Sequence, residues 1–375
     1  MRKHNKHTIL LLLACVFILG QAAYAQKDVD SLLNEANQLI FENPDKAIEI
    51  AQEVYNNSKI SINNKINSLL TISTAYSSKR DYEKASDFVV QIKELLPNIE
   101  NDRQQMNVLN RMASHFQQLQ IYDKAIEYLD ESLELINAYP EQDSIQTYLG
   151  YNTTLRALIY RQQMNCDIAI KYFDKGIEAY KKTLYNPVMN ANLSICYYNK
   201  GNCLISLKKA NEAKASYLKS IDHAKSIEAK SLIAFAQKGL AEVKTLEGNY
   251  NEAISLLNNA STISESVGDL VLNRGIYEGL SNNYLALNDW DNYTLFHNKF
   301  LALQMETKNS ERKTINQSLV YLTETKANEI DQLNKRYNPV LIGLIILIAI
   351  TLLLLFRFVF FEEKKLKLLQ KKLTK

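Results

Sequence analysis

Apolar residues along most of this chain recur every three or four positions, and alternating strand-like runs are almost absent. That spacing predicts amphipathic α-helices rather than strands. The helical pattern itself repeats. "RDYEKASDFVVQIKELLP" (80–97) reappears as "IYDKAIEYLDESLELI" (121–136), "NCDIAIKYFDKGIEAY" (165–180), "KANEAKASYLKSIDHA" (209–224) and "GNYNEAISLLNNASTI" (248–263). An earlier copy, "NPDKAIEIAQEVY" (43–55), opens the array, and a divergent one, "NDWDNYTLFHNKFLAL" (288–303), closes it. Their small residues align as Ala47, Ala85, Ala125, Ala169, Ala213 and Ala253, with Tyr293 in the last copy, at intervals of 38 to 44 residues. Twelve residues before these stand Ser73, Ala113, Ala157, Gly201, Ala241 and Ser281. Each belongs to a partner helix, and a small side chain there lets two helix backbones approach closely. Nine residues before the key position a larger group fills the neighbouring gap: Tyr76, Phe116, Tyr160, Leu204 and Tyr284, with Lys244 as the exception.

Two stretches break the amphipathic pattern by being apolar throughout. Residues 9–19 follow the basic Arg2, Lys3 and Lys6 and precede Ala23-Tyr24-Ala25. This layout predicts a secretory signal peptide over residues 1–25, cleaved before Gln26. The residues around Cys15 are weakly like a lipidation site, but the apolar run continues past it. Residues 340–356 are uncharged, and with one interruption at Arg357 the apolar run reaches Phe361. That length spans a bilayer and predicts a transmembrane helix over 339–361, with Pro339 at its start. The basic residues of the tail, 362–375, place it in the cytosol by the positive-inside rule. The expected topology is therefore a single pass through a bacterial inner membrane, with the body in the periplasm. Between repeats and membrane, residues 306–338 keep a thin seam of Ile315, Leu319, Leu322, Ile330, Leu333 and Tyr337, broken by Lys326. It predicts a juxtamembrane helix with a short coiled-coil tendency, which with the membrane helix favours a homodimer.

The repeated pattern resembles the tetratricopeptide repeat: a small residue, an aromatic three later, a "DYEKA"-type turn, and an aromatic or leucine beyond the second alanine. The resemblance covers about residues 28–303, and seven copies in register carry it. It implies an all-α fold: a right-handed superhelical solenoid of about seven helix pairs over 26–305, then the juxtamembrane helix and one C-terminal transmembrane helix. The period exceeds the roughly 34 residues usual in that family, which implies longer helices. Tyr293, in place of a small residue, suits a terminal capping unit.

Charge and candidate chemistry narrow the function. The formal net charge is +3, but the first residues contribute +3 and residues from Arg357 onward +5, leaving about −5 for residues 8–356. The basic balance thus belongs to the chain ends and gives no reason to expect nucleic acid. Cys166 stands in a turn, and Cys196 and Cys203 lie on one helix, too far apart for a disulfide within it; all three read as small buried residues. His115, His223 and His297 fall in separate repeats, and no metal, phosphate-loop or nucleophile motif is present. No enzyme, cofactor or metal is expected.

What remains is surface. The family's ligand-facing positions, carried over residue by residue from each small side chain, are Asn67, Leu70 and Thr74, then Asn107, Asn110 and Gln117. They continue with Tyr151 and Arg161, then Tyr198 and Asn202, and finally Phe235 and Asn282. Amides here suit the backbone of an extended peptide, because each offers a donor and an acceptor. Tyr151, Tyr198 and Phe235 suit apolar anchors. The paired Lys and Asn by which some members clamp a C-terminal carboxylate are not matched.

The whole order is similar to bacterial membrane signalling proteins with an exported repeat array, a single crossing and a cytosolic coil. Those proteins continue into a helix-turn-helix domain or a histidine kinase, which this chain does not contain, so DNA binding is not carried over. The expected function is a membrane-anchored sensor or adaptor that binds a peptide or protein and signals through a partner. The alternatives are a passive envelope scaffold and a truncated relative of the longer regulators.

Overall fold

The computed structural model describes residues 29–373 except 41–42, 80, 100 and 266–268. The expected signal peptide, 1–25, with its Cys15, falls outside the described residues. No strand occurs among those described. The chain divides into two compact units, Met1–Ile315 and Asn316–Lys375.

The first unit is a succession of antiparallel helix pairs. Helix α1 (29–39) precedes α2 (Pro44–Asn56), α3 (Ile62–Ser78), α4 (Tyr82–Leu95), α5 (Asp102–Gln118), α6 (Tyr122–Ala138) and α7 (Gln146–Gln162). There follow α8 (Cys166–Lys181), α9 (Met189–Ser206), α10 (Ala210–Lys225), α11 (Lys230–Leu246), α12 (Tyr250–Glu265), α13 (Leu270–Ala286) and the start of α14 (Trp290–Leu373). Side chains that favour N-caps begin several of them. Asn43, Ser61, Asn101 and Asn165 each accept from the backbone amide three residues on, satisfying a donor the helix leaves free.

The turns inside the pairs share one geometry. Gln120, Met164, Lys208, Gly248 and Asn288 all have positive φ, between 58° and 78°. Around Gln120, its amide bonds the Gln117 carbonyl and the Ile121 amide reaches Phe116 at 2.9 Å. That crossed pair of bonds is a Schellman ending, which reverses the chain and satisfies the last carbonyls. It recurs at Met164, Lys208, Gly248 and Asn288.

Packing follows the small residues. Ala47, Ala85, Ala125, Ala169, Ala213 and Ala253 are fully buried, and so are the partner positions from Ser73 to Ser281. Beside them runs a ladder of stacked rings, Tyr76–Phe88, Phe116–Tyr128, Tyr160–Tyr172 and Tyr284–Phe296, with centroids 5.4–5.7 Å apart. Offset aromatic pairs add to the area they bury. Leu204 and Lys244 interrupt the ladder, and there Tyr217 fills the gap against Gly201 and Gly239. The three cysteines are buried free thiols. Cys166 differs from the expectation of a turn residue: Asn165 caps the helix, so Cys166 is the first residue of α8.

Helices α3, α5, α7, α9, α11 and α13 each touch the next in that series as well as their pair partners. Helices that pack on their counterparts across repeats form the shorter, inner wall of a solenoid. The start of α14 closes the unit, with Phe296 against Tyr277 and Tyr284 and with Thr307 accepting from Arg274 at 2.7 Å.

The second unit is helical to Leu373. Pro339 lies inside α14 rather than at the start of a separate helix. Proline lacks an amide hydrogen, so it removes one bond of the ladder without ending the helix here. Within Lys326–Gln370 the helix is long and apolar enough to cross a membrane, with a mean hydropathy of 3.1 over an 18-residue stretch. Its apolar residues are exposed, as are Leu319, Ile330, Leu333 and Tyr337 of the seam.

Candidate functional site

The inner wall changes character along its length. At its N-terminal end, α1, α3 and α5 line a half-open cavity of about 410 Å³, within the size range of ligand sites. Asn34 and Asn37 enter it from α1, Asn67, Thr71 and Thr74 from α3, and Asn107 and Arg111 from α5; Asp30, Leu33 and Leu70 complete the lining. The threonine hydroxyls bond inward, Thr71 to the Asn37 side chain at 3.0 Å and Thr74 to the Leu70 carbonyl at 2.6 Å. Arg111 stacks over the Tyr151 ring, 5.1 Å from its centroid.

Further along, the wall is aromatic. Tyr198 packs on Phe235 and Tyr217 at 5.5 and 6.0 Å. The Tyr217 hydroxyl donates to the Asn202 side-chain oxygen at 2.8 Å. Burial and the nearby Glu242 carboxylate push that phenol well above its ordinary value, so it remains a neutral donor.

A tetratricopeptide-repeat family model matches residues 195–225, from within α9 to the end of α10. The fold is similar to that of the Rap protein complexed with Competence and Sporulation Factor, with a TM-score of 0.55 and 14% identity over 84% of this chain and 93% of that one. It is similar to NprR in complex with its cognate peptide NprX, at a TM-score of 0.54 and 14% identity over 86% and 99% of the two chains. A signal-transduction ATPase with a tetratricopeptide repeat sensor, from Pyrococcus horikoshii, aligns at 0.56 and 14% identity; this chain covers 50% of it. No curated protein matches in sequence. The repeat array has the fold of a tetratricopeptide-repeat-like helical solenoid.

On this solenoid the sequence-derived positions separate into three groups. Asn67 and Asn107, with Leu70 and Thr74, meet in the cavity, and Tyr151 supports its arginine. Tyr198, Asn202 and Phe235 meet in the aromatic section, and Arg161 is half-buried on α7. Asn110 and Gln117 are buried in the packing between repeats. The Asn110 amide donates to the Tyr148 carbonyl at 3.1 Å and its oxygen accepts from Asn152, while Gln117 donates to Gln162 at 2.7 Å. Asn282 is exposed on α13, away from both groups in sequence and contact.

Sequence reasoning missed Arg111, Asn34 and Asn37. Arg111 follows Asn107 by four residues, which puts the two on one helix face. The asparagines lie on α1, ahead of the first aligned copy. Among the described residues no group of His, Cys, Asp and Glu could hold a metal ion. His115 contacts the Ser86 hydroxyl at 3.0 Å but is lowered to about 4 by burial, and its Nδ1 meets no acid that would orient it.

Proposed function

We propose that this solenoid is a membrane-anchored interaction module that holds an extended peptide or protein segment along its inner wall. The observation that carries the reading is the cavity where Asn34, Asn37, Asn67, Asn107 and two threonine hydroxyls converge. Neutral amides can pair with a peptide backbone without reading its sequence, as expected of a site that grips a strand. The aromatic section around Tyr198 and Phe235 supplies anchors for apolar side chains. NprR, of like fold, is in complex with a peptide.

In this reading the signal peptide exports the body to the periplasm, and the apolar part of α14 is the single crossing. The seam of Leu319, Ile330, Leu333 and Tyr337 pairs two copies, and the bound state passes to a partner protein. A photo-crosslinking residue at Asn107, in the full chain within membranes, tests the wall. Adducts are expected at position 107, absent from the exposed outer position Lys175, and lost when Asn67→Ala is added. Equal adducts at both positions would sink the groove. Replacing residues 340–356 by an unrelated apolar helix then separates signalling from passive anchoring: an unchanged cellular response means anchoring alone.

A further inference from the structure

Cys166 and Cys203 belong to neighbouring repeats, yet the fold brings them together. Cys166 opens α8, and Cys203 lies in the last turn of α9. The two helices follow one another and pack antiparallel, so the start of the first meets the end of the second. Both cysteines lie in one buried cluster with Ala169 and Phe173, and their thiols are hydrogen-bonded to each other. Cys196 is placed differently, with its sulfur against the Thr154 hydroxyl at 3.2 Å. It precedes Cys203 by seven residues, about 10 Å along the helix axis, and the two cannot bond. Of the three cysteines in the repeat array, one pair is therefore set for a covalent link.

Thiols in contact stay reduced only where their surroundings keep them so. Burial, and then the neighbouring Cys166 thiol, hold the Cys203 thiol far above its ordinary value. In the folded chain it is not a thiolate and does not attack a disulfide. A bond at this site is made while the chain is still open during export, and packing then shields it from reductants.

We propose that Cys166 and Cys203 form a disulfide in the exported protein, joining the start of α8 to the end of α9. This rests on the export reading above and adds a covalent bond to the array. The reaction is exchange with the disulfide of a thiol–disulfide oxidoreductase outside the cytoplasm. One cysteine thiolate attacks that disulfide and displaces a thiol, and the other then displaces the second. The two cysteines give up two protons and two electrons, which leave on the two thiols of the reduced oxidoreductase. The link crosses from one helix pair to the next, so it strengthens an interface on which a stacked array depends.

Cells producing the full-length chain are quenched in acid, and free thiols are blocked with a light alkylating reagent. Disulfides are then reduced and marked with a heavy one, and both marks are quantified by mass spectrometry beside an unreduced digest. A second chain carries a proven secretory signal peptide in place of residues 1–25. Cys166 and Cys203 are expected to carry roughly tenfold more heavy than light reagent, and Cys196 the reverse. The unreduced digest is to contain the peptide linking 166 to 203. Reducing the purified full-length protein in detergent should lower its urea midpoint by roughly 0.5–1 M and leave Cys166→Ala unchanged. Cys203→Ala serves as the second control should the first fail to fold. Free thiols at both positions in the chain with the proven signal overturn the pair, as does a link from either cysteine to Cys196. A linked peptide without a midpoint shift overturns its role in holding the array. Linkage in that second chain alone, with the native chain light throughout, keeps the pair and defeats the export reading of residues 1–25.

Discussion

The ring of Tyr217 occupies the space that a side chain on Gly239 would need. A Cβ there would stand 2.4 Å from Cε1 of the ring. Gly201 meets the same ring, at 2.5 Å. The ring is fully buried and its hydroxyl is tied to Asn202. One side chain of α10 thus fixes the spacing of α9 and α11 where the aromatic ladder is interrupted.

Gly239→Ala and Gly201→Ala should each destabilise the full-length protein by about 1–3 kcal/mol, the usual cost of overpacking. Gly275→Ala is the control, because a Cβ there meets only the flexible Lys238 side chain at 3.1 Å. Urea unfolding followed by circular dichroism separates them. Equal midpoints for all three would refute the wedge.

Met164 is 87% exposed with φ of 62°, a conformation that costs an L residue energy without any packing in return. Met164→Gly should therefore raise stability by about 0.5–1 kcal/mol, and Gly248→Ala at the equivalent turn should lower it by about the same amount. Thermal unfolding of the two variants checks the opposite signs.

His115 is held neutral inside the first unit, its pKa lowered by burial from 6.5 to about 4. Between these values the unfolded chain takes up a proton that the folded chain refuses. Stability is then fully present above about pH 6.5 and falls as the pH drops towards 4, by up to about 3 kcal/mol. Unfolding midpoints measured across that window should slope with pH in wild type and slope less in His115→Gln.

Asn110 and Asn67 look alike in sequence but should behave oppositely. Asn110→Ala removes two buried hydrogen bonds, to the Tyr148 carbonyl and from the Asn152 amide, leaving that amide only the Leu129 carbonyl, and should cost about 1–3 kcal/mol. Asn67→Ala, on the cavity wall, should shift stability by less than about 0.5 kcal/mol while weakening ligand capture. Paired denaturation and crosslinking measurements distinguish the two.

The proposed crossing predicts that the full chain resists extraction from membranes by alkaline carbonate and that removing residues 340–356 releases it. A cysteine-reactive, membrane-impermeant label should modify a cysteine placed at Lys175 in intact spheroplasts, and not one placed at Lys367. Labelling of both, or of Lys367 alone, would reverse the topology.

Much of this architecture was legible in the chain because helical periodicity is local. Spacing of apolar residues defines each helix, and the alanines from Ala47 to Ala253 mark where two helices touch. Even the long apolar run stands out without any partner. The functional face was legible only in part. A period of 3.6 says which residues share a side of a helix, but not whether that side meets solvent or another helix. Asn107 and Asn110 are one turn apart, yet the first lines a cavity and the second meets Asn152, 42 residues away. Arg111 stacks on Tyr151 of the next repeat and shares a cavity with Asn37 of α1, residues far apart in the chain. The sequence by itself determined the helices, their register and the apolar segment. Tertiary structure alone decided which polar groups face each other inside the stack and which are left to face a ligand, because only the stacking of repeats buries one and exposes the other.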